Sequence, residues 1–476
     1  MTRVYRFFLA ALAVPIALGA QDTAVTSSVI DNVTVIDVSS GTARAGQRVV
    51  VSGTRIVAVG PAGQTAAPAN AVMVDGRGRF LIPGLWDMHV HASGGPGTAV
   101  ASTLFLANGV TGLRDMGTSI DGLLQWRAAL QSGTMPGPRI VGAGVLVDGT
   151  PIVYPAAITL PVTTPDEARK AVDSLVARGV NFIKAYEMLR PDVYAALAAQ
   201  AKLRGVAHAG HLPLAVSAED AVRAGHRSFE HLRNLEVACS SKADSLRAVA
   251  LDMLEKGKSE PGMRLRSAIH SALRPRALET YDESRCDALI RLMAEHGAWQ
   301  TPNLVLTTQG YFRHDTTAAF QKWVRYLPEP SRTRWRRPSD SASIAPAGVS
   351  ASRAAEWVMR MAKRLHDAGV RILPGTDFPI EAMVPGAALH EELALLVRIG
   401  LTPAEALRAG TLNPPTYLGM LDSLGTVAAG KVADLVLLDA NPLDDIRNVA
   451  RVRAVWTGGR YLSRERIDTM LEGALK

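Results

Sequence analysis

Runs of apolar and β-branched residues alternate with helical segments through most of this 476-residue chain. Eight of these runs are candidate strands, at residues 80–87, 110–115, 139–143, 180–185, 205–208, 226–231, 298–305 and 370–377. Strands that alternate with helices are typical of parallel sheets. Eight such units predict an α/β fold, a (β/α)8 barrel whose functional residues lie at the carboxyl ends of the strands.

Two helices between or after these strands have clear start signals. The segments TPDE from Thr164 and TPAE from Thr402 each combine a capping threonine, a proline at the first helical position and a glutamate three residues after the cap. We expect a helix to begin at each of them.

The two ends of the chain share a different sequence pattern. Short β-like runs separated by turns fill residues 25–80, and similar runs return at 433–438 and 452–459. We therefore expect residues 21–80 and 420–476 to form one small β-sandwich domain, with the barrel at residues 81–419. Pro83 and Gly84 mark the point at which the chain enters the barrel.

Residues 1–20 have the pattern of a secretory signal peptide, with Arg3 and Arg6 before an apolar run that ends in small residues. The alternative is an uncleaved membrane anchor, although the run is shorter than a full span. Cleavage predicts an exported protein, periplasmic or extracellular, with no stable membrane association. The two cysteines, Cys239 and Cys286, are compatible with one disulfide or with two buried thiols.

The formal net charge of +8 raises the possibility of a nucleic-acid partner. Basic residues are spread along the chain, apart from a cluster formed by Arg332, Arg334, Arg336 and Arg337. No recognition motif accompanies them, so we expect a solvated basic surface and no nucleic-acid binding. The predicted partners are a small-molecule substrate and further copies of the chain in a homo-oligomer.

Two intervals are longer than a simple β/α unit requires, residues 232–284 and 308–350. Each follows the carboxyl end of a candidate strand. We expect both to overhang the functional face as lids or subunit contacts, with peripheral decoration as the alternative.

Side chains that can bind a metal stand at the ends of five candidate strands. His89 and His91 are separated by one residue, and side chains at that spacing project from the same face of a strand. The complete candidate set is His89, His91, Lys184, His208, His231 and Asp377. Such a set predicts a metal centre at the rim of the barrel.

Several longer motifs surround these residues. They include PGLWDMHVH, GVTGLRDMG, IKAY, VAHAGH, EHL, PGTD, TPAEALRAGTLNPPTYLG and GTVAAGKVADLVLLDANPL, between residues 83 and 443. In this combination the chain resembles the amidohydrolase superfamily of metal-dependent hydrolases, and within it the branch of imidazolonepropionases and Xaa-Pro dipeptidases.

The resemblance implies two divalent metal ions, with zinc as the expected metal. His89, His91 and Asp377 would bind one ion and His208 and His231 the other. Lys184, carboxylated on its amine by carbon dioxide, would bridge the two ions together with a hydroxide. Asp377 would also be the catalytic residue, taking the proton of the attacking water and passing it to the leaving amine.

Two neighbouring residues are candidate substrate contacts. Tyr186 could bind the developing oxyanion or a substrate carboxylate, and packing in the barrel mouth is its alternative role. His211 lies three residues after His208 and is expected to contact substrate or support a ligand rather than to bind metal.

The predicted function is hydrolysis of an amide or peptide bond, in a dipeptide such as Xaa-Pro or in an N-acyl amino acid. An esterase, lactonase or organophosphate hydrolase would use the same metal centre. A metal-free binding protein on the same barrel is a third possibility, and the complete ligand set argues against it.

Overall fold

A computed structural model describes residues 27–94, 97–309, 311–313, 316–327, 329, 332–333, 349–380 and 383–473. The predicted signal peptide at residues 1–20 lies outside these ranges, as do Arg334, Arg336 and Arg337. Within them, no helix is both long enough and apolar enough to cross a membrane.

The strands of the described ranges are β1 (Ser27–Asp37), β2 (Thr42–Ser52), β3 (Arg55–Pro61), β4 (Val72–Asp75), β5 (Phe80–Pro83), β6 (Leu85–Val90), β7 (Val110–Asp115), β8 (Arg139–Gly142), β9 (Leu146–Asp148), β10 (Thr159–Pro161), β11 (Phe182–Ala185), β12 (Ala207–Gly210), β13 (His226–Glu230), β14 (Trp299–Thr301), β15 (Arg371–Ile372), β16 (Leu435–Leu438), β17 (Val452–Thr457) and β18 (Arg460–Ser463). The helices are α1 (Thr98–Ala107), α2 (Ile120–Gln131), α3 (Pro165–Ala177), α4 (Pro191–Leu203), α5 (Ala218–Arg223), α6 (Leu235–Ala238), α7 (Ala243–Lys256), α8 (Gly262–Glu279), α9 (Glu283–Glu295), α10 (Leu304–Thr307), α11 (Ala318–Val324), α12 (Ala351–Asp367), α13 (Ala387–Arg398), α14 (Pro403–Thr411), α15 (Asn413–Tyr417) and α16 (Arg464–Gly473).

Eight parallel strands form the barrel, in the order β6, β7, β8, β11, β12, β13, β14 and β15. The amide of Asn181 donates to the carbonyl of Gly142 at 2.9 Å and links β11 to β8. A parallel bridge between Val90 and Phe378 joins β6 to the segment after β15 and closes the ring. The predicted fold class is confirmed, and each of the eight candidate strands corresponds to one barrel strand.

The observed strand bounds differ from the predicted ones at two instructive places. The first candidate strand divides at Gly84 into β5 and β6. Only glycine fits at this break, because a Cβ there would meet Thr111 Oγ1 at 1.9 Å. The fifth strand runs from Ala207 to Gly210, two residues further along the chain than expected. Because of this shift, His208 lies within the strand and His211 stands just past its end.

Strands from the two ends of the chain pair in one eight-stranded sheet. β16 runs antiparallel to β5, with Val436 opposite Ile82, and β17 and β18 extend the sheet on that side. β1 pairs with β2, β4 and β5 on the other side. Buried side chains from both ends of the chain, among them Leu81 and Trp456, form a common apolar core.

Both predicted helix starts are confirmed. Thr164 and Thr402 each accept a hydrogen bond from the backbone of the glutamate three residues on, and that glutamate accepts from the backbone of the threonine. The long interval after β13 forms α6, α7 and α8, and a disulfide between Cys239 and Cys286 ties its two ends together. About half of the second long interval, including residues 334–348, lies outside the described ranges, and its described part contains α11.

Candidate metal centre

His89, His91 and Asp377 meet at the carboxyl end of the barrel. The Nε2 atoms of His89 and His91 lie 3.3 Å and 3.1 Å from Asp377 Oδ1. One candidate ligand atom from each residue lies within 4.8 Å of the other two. Three residues of the predicted ligand set, His89, His91 and Asp377, therefore converge on one point, as the spacing of the two histidines suggested.

His231 reaches the same point from β13. Its Nε2 lies 3.5 Å from Asp377 Oδ2, and its ring centroid is 4.6 Å from that of His89. Adjacent residues of an extended strand face opposite sides. The left-handed φ of 59° at His231 breaks this alternation, so both His231 and the preceding Glu230 contact His89.

Asp377 also has a left-handed backbone, with φ of 64°. Its amide donates to the carbonyl of His89 at 2.7 Å, which fixes the carboxylate beside the two histidines. Non-glycine residues in this conformation cost about 1–3 kcal/mol each and concentrate at functional sites. Two of the candidate ligands therefore occupy strained positions.

Lys184 is fully buried on β11, and its Nζ has no hydrogen-bond partner among the described residues. Its charge interacts with Glu230 and Asp377. The adjacent strand leaves room for the side chain at Gly210, where a Cβ would meet Lys184 Cδ at 2.9 Å. Burial lowers the pKa of Lys184 to about 8 and favours the neutral amine, the form that reacts with carbon dioxide.

His208 does not lie with the other candidate ligands, contrary to the expectation from the sequence. It pairs with Ile183 across β11 and β12, and paired residues of parallel strands face the same side. Ile183 belongs to the apolar layer that the strands share with helices such as α4. Accordingly, the Nε2 of His208 lies 3.2 Å from the hydroxyl of Tyr194, and its ring packs against His226.

His211 occupies the place expected for His208. Its ring centroid is 4.9 Å from that of His231 and 4.4 Å from that of Tyr186. Its charge also interacts with Lys184. The geometry therefore favours His211 over His208 as the companion of His231 in binding a second ion.

A buried carboxylate supports His89 from behind. The Nδ1 of His89 donates to Glu230 Oε2 at 2.7 Å, which turns Nε2 toward Asp377. Glu230 in turn accepts two hydrogen bonds from Arg114, at 2.9 Å and 3.1 Å. Burial opposes ionisation of Glu230, but Arg114 and His89 outweigh it and hold its pKa below the usual value.

The same arrangement recurs behind His211. Its Nδ1 donates to Glu187 Oε1 at 2.6 Å, and Glu187 accepts from Arg266 at 2.7 Å and from His270 at 2.5 Å. Burial opposes ionisation of Glu187, but Arg266 and His270 hold its pKa well below the usual value. Because Arg266 and His270 lie on α8, the first long interval reaches the site as expected. A histidine held by a carboxylate through one ring nitrogen is the common form of a metal ligand.

Two unpaired atoms of the centre, His89 Nε2 and Asp377 Oδ1, lie 3.3 Å apart and carry lone pairs that a cation would satisfy. Among the described residues, His89 Nε2, His231 Nδ1, Lys184 Nζ and Asp377 Oδ1 are buried and make no hydrogen bond. Buried polar atoms are rarely left unpaired in folded proteins. Imidazole nitrogens with a carboxylate oxygen suit zinc. The residues present therefore fit a divalent metal.

Tyr186 is buried against His211 and Tyr154 rather than exposed in the barrel mouth. Burial raises its pKa well above the ordinary value, so the hydroxyl stays protonated and can donate a hydrogen bond. Tyr186 lies beside His211, and its contact with substrate stays a prediction.

Reasoning from the sequence gave no role to Glu187, Glu230, Arg114 or Arg266. Two of these residues had an available signal, since Glu230 immediately precedes His231 and Glu187 lies three residues after Lys184. Arg114 and Arg266 are distant in sequence from the groups they contact, so their roles emerge only from the fold.

Comparison with known proteins agrees with this geometry. The profile of the Amidohydrolase family matches residues 80–462, and the chain belongs to that family. A 98-residue segment is 40% identical to ochratoxinase of Aspergillus niger and covers 20% of this chain and 19% of that protein, so the match spans about a fifth of the relative's length.

Solved structures match over nearly the whole chain. The fold is similar to that of a bottromycin amidohydrolase, with a TM-score of 0.71, 25% identity and coverage of 94% of this chain and 91% of that one. A putative prolidase from Bifidobacterium longum matches with a TM-score of 0.65 and 24% identity, over 95% of this chain and 100% of that one. At this identity the prolidase supports the fold alone.

Proposed function

We propose that this protein is an exported, metal-dependent amidohydrolase that cleaves an amide or peptide bond in a dipeptide, such as Xaa-Pro, or in an N-acyl amino acid. The observation that carries the proposal is the convergence of His89, His91, His231 and Asp377 at the carboxyl end of the barrel, with Lys184 and His211 beside them. Membership of the Amidohydrolase family supports the same reaction class.

In this proposal His89, His91 and Asp377 hold one divalent ion, and His211 and His231 hold a second. Lys184, if carboxylated, would supply an anionic oxygen ligand to these ions. Two such ions, most simply zinc, would lower the pKa of a water molecule and polarise the scissile carbonyl.

The remaining steps belong to the residues of the chain. Asp377 accepts the proton of the attacking water and delivers it to the leaving amine. Tyr186 donates a hydrogen bond to substrate. Glu230 and Glu187 keep the rings of His89 and His211 in position.

Export is part of the proposal and rests on the signal-like residues 1–20. Assembly into a homo-oligomer remains a prediction from the sequence.

The test is a comparison of metal content and substrate range. Purified full-length protein should contain about two equivalents of divalent metal per chain. Zinc-reconstituted protein should hydrolyse members of a library of dipeptides and N-acyl amino acids, and chelated protein should not. Turnover confined to esters, lactones or phosphotriesters would replace the proposal with the alternative hydrolase class, and full activity without metal would refute it.

A further inference from the structure

Tyr154 lies beside the candidate metal centre, in the loop that follows β9. Its ring centroid is 5.7 Å from that of Tyr186, and the ring of Tyr186 in turn packs against His211 at 4.4 Å. The two tyrosine hydroxyls lie within hydrogen-bonding reach of each other. The Tyr154 hydroxyl also interacts with the charge of Asp377, the proposed proton acceptor. Tyr154 therefore belongs to the same site as the candidate ligands.

The two tyrosines differ in how deeply they are buried. Tyr186 is only 3% exposed, whereas Tyr154 is half-buried. Tyr154 is therefore the more accessible of the two to a molecule that enters the site from solvent.

The loop that carries Tyr154 is held at two points. Asp148 Oδ1 accepts hydrogen bonds from the amides of Gly149 at 2.9 Å and Met188 at 2.8 Å, which ties the start of the loop to the segment after β11. Helix α8 begins against the middle of the loop, where a Cβ at Gly262 would meet the carbonyl oxygen of Ile152 at 2.1 Å. The loop is thus fixed relative to the barrel, as a precisely placed donor requires.

The electrostatic surroundings suit both hydroxyls to hydrogen-bond donation. Burial raises the pKa of Tyr154 and of Tyr186, so each hydroxyl keeps its proton. The charge of Arg266 interacts with both hydroxyls, and its guanidinium carbon lies 5.8 Å from the centroid of the Tyr186 ring. A cation next to two donors also favours the build-up of negative charge on an oxygen that they bind.

We propose that Tyr154 is a catalytic residue whose hydroxyl donates to the carbonyl oxygen of the scissile bond, beside the hydrogen bond from Tyr186. A carbonyl oxygen has two lone pairs and can accept from both hydroxyls. Negative charge develops on this oxygen as the nucleophile adds, so donors placed there stabilise the transition state more than the bound substrate. The inference rests on the proposed function and adds a residue of the loop after β9 to the reaction.

The experiment removes the hydroxyl and keeps the ring, in Tyr154→Phe. The readout is hydrolysis of N-acetyl-L-phenylalanine by the zinc-loaded, full-length protein. We expect kcat to fall about 100-fold while KM changes less than about threefold. Tyr461→Phe is the matched control, because Tyr461 is also half-buried but lies on β18, where it packs against Trp456. The control should leave both constants unchanged.

A double variant separates direct contact from an effect through Tyr186. In the Tyr186→Phe background, Tyr154→Phe should still lower kcat by at least about 10-fold. If Tyr154 only oriented the hydroxyl of Tyr186, the double variant would have the kcat of Tyr186→Phe alone. That result would overturn the inference.

Binding of N-(methylphosphonyl)-L-phenylalanine, measured by calorimetry, provides a readout that does not require turnover. Its tetrahedral anionic phosphonyl group resembles the oxyanion, whereas L-phenylalanine lacks this group. Tyr154→Phe should bind the phosphonyl compound about 10- to 100-fold more weakly than wild type, with the affinity for L-phenylalanine changed less than about threefold.

The outcomes separate this inference from the proposed function. If Tyr154→Phe weakens binding of the phosphonyl compound in this way but the wild type hydrolyses no amide, only the proposed function fails. Amide hydrolysis by the wild type, with kcat and phosphonyl affinity both unchanged in Tyr154→Phe, overturns the inference and leaves the proposed function standing.

Discussion

The choice between His211 and His208 as a metal ligand is open to a direct test with a matched pair of substitutions, His211→Asn and His208→Asn. Both side chains are buried on or next to β12, at 4% exposure for His211 and 3% for His208. The two variants are therefore matched in burial. Only their neighbours differ, since His211 contacts His231 and Glu187 whereas His208 contacts Tyr194 and His226.

The expected magnitudes follow from those neighbours. Loss of a residue that merely supports a ligand costs about 10- to 100-fold in metal affinity or activity, so loss of the ligand His211 should cost at least about 100-fold. The His208 variant loses one hydrogen bond from Tyr194, whose hydroxyl keeps its contact with His226 Nδ1 at 3.0 Å. The expected cost there is about 1 kcal/mol of unfolding free energy, with normal turnover.

Metal analysis after gel filtration and thermal melting supply the readouts. His211→Asn should retain about one equivalent of metal, and His208→Asn about two with a slightly lower Tm. If His208→Asn lost metal while His211→Asn kept both ions, the assignment from geometry would be wrong.

Two further substitutions probe the surroundings of the centre, and a third probes Glu392, a buried carboxyl group on α13. Lys184→Ala should lose metal and activity, with partial rescue by small carboxylic acids, and an undiminished variant would exclude a bridging role. Glu187→Gln should weaken metal binding about 10- to 100-fold by freeing the ring of His211, whereas Glu295→Gln at an exposed site should not. Burial raises the pKa of Glu392 to about 8, so the folded state binds a proton that the unfolded state releases above about pH 4.5. Stability should therefore fall by up to about 1.4 kcal/mol per pH unit between these values in the wild type and less steeply in Glu392→Gln, measured by urea unfolding, and parallel slopes would contradict this reasoning.

The barrel could be predicted because each of its strands is a local apolar run between helical patterns. The capping signals at Thr164 and Thr402 are also contained in a few consecutive residues, and both helices begin where expected. The short strands β9 and β10 were not predicted. They have only three residues each, which is too few to show a period.

The position of His208, away from the other candidate ligands, has a physical origin in strand register. A strand from Gly205 to His208 would place that histidine at the rim, but the observed strand continues to Gly210 and places His211 just beyond its end. The partner of each residue in β12 is set by its pairing with β11, where His208 lies opposite Ile183. This pairing joins segments about 25 residues apart, so the sequence of the motif alone does not determine it.

The charges around the centre bear on the state of Lys184. Glu230 pairs with Arg114 and Glu187 with Arg266, so each carboxylate behind His89 and His211 is balanced by at least one arginine. Asp377 is then the only anionic side chain in the proposed ligand set. Against two divalent cations, an ammonium on Lys184 would cancel the charge of Asp377, whereas a carbamate would add a second anion. Because Lys184 is buried with no hydrogen-bond partner among the described residues, an ammonium there would be an unpaired buried charge, which supports the proposed carbamate over a charged lysine.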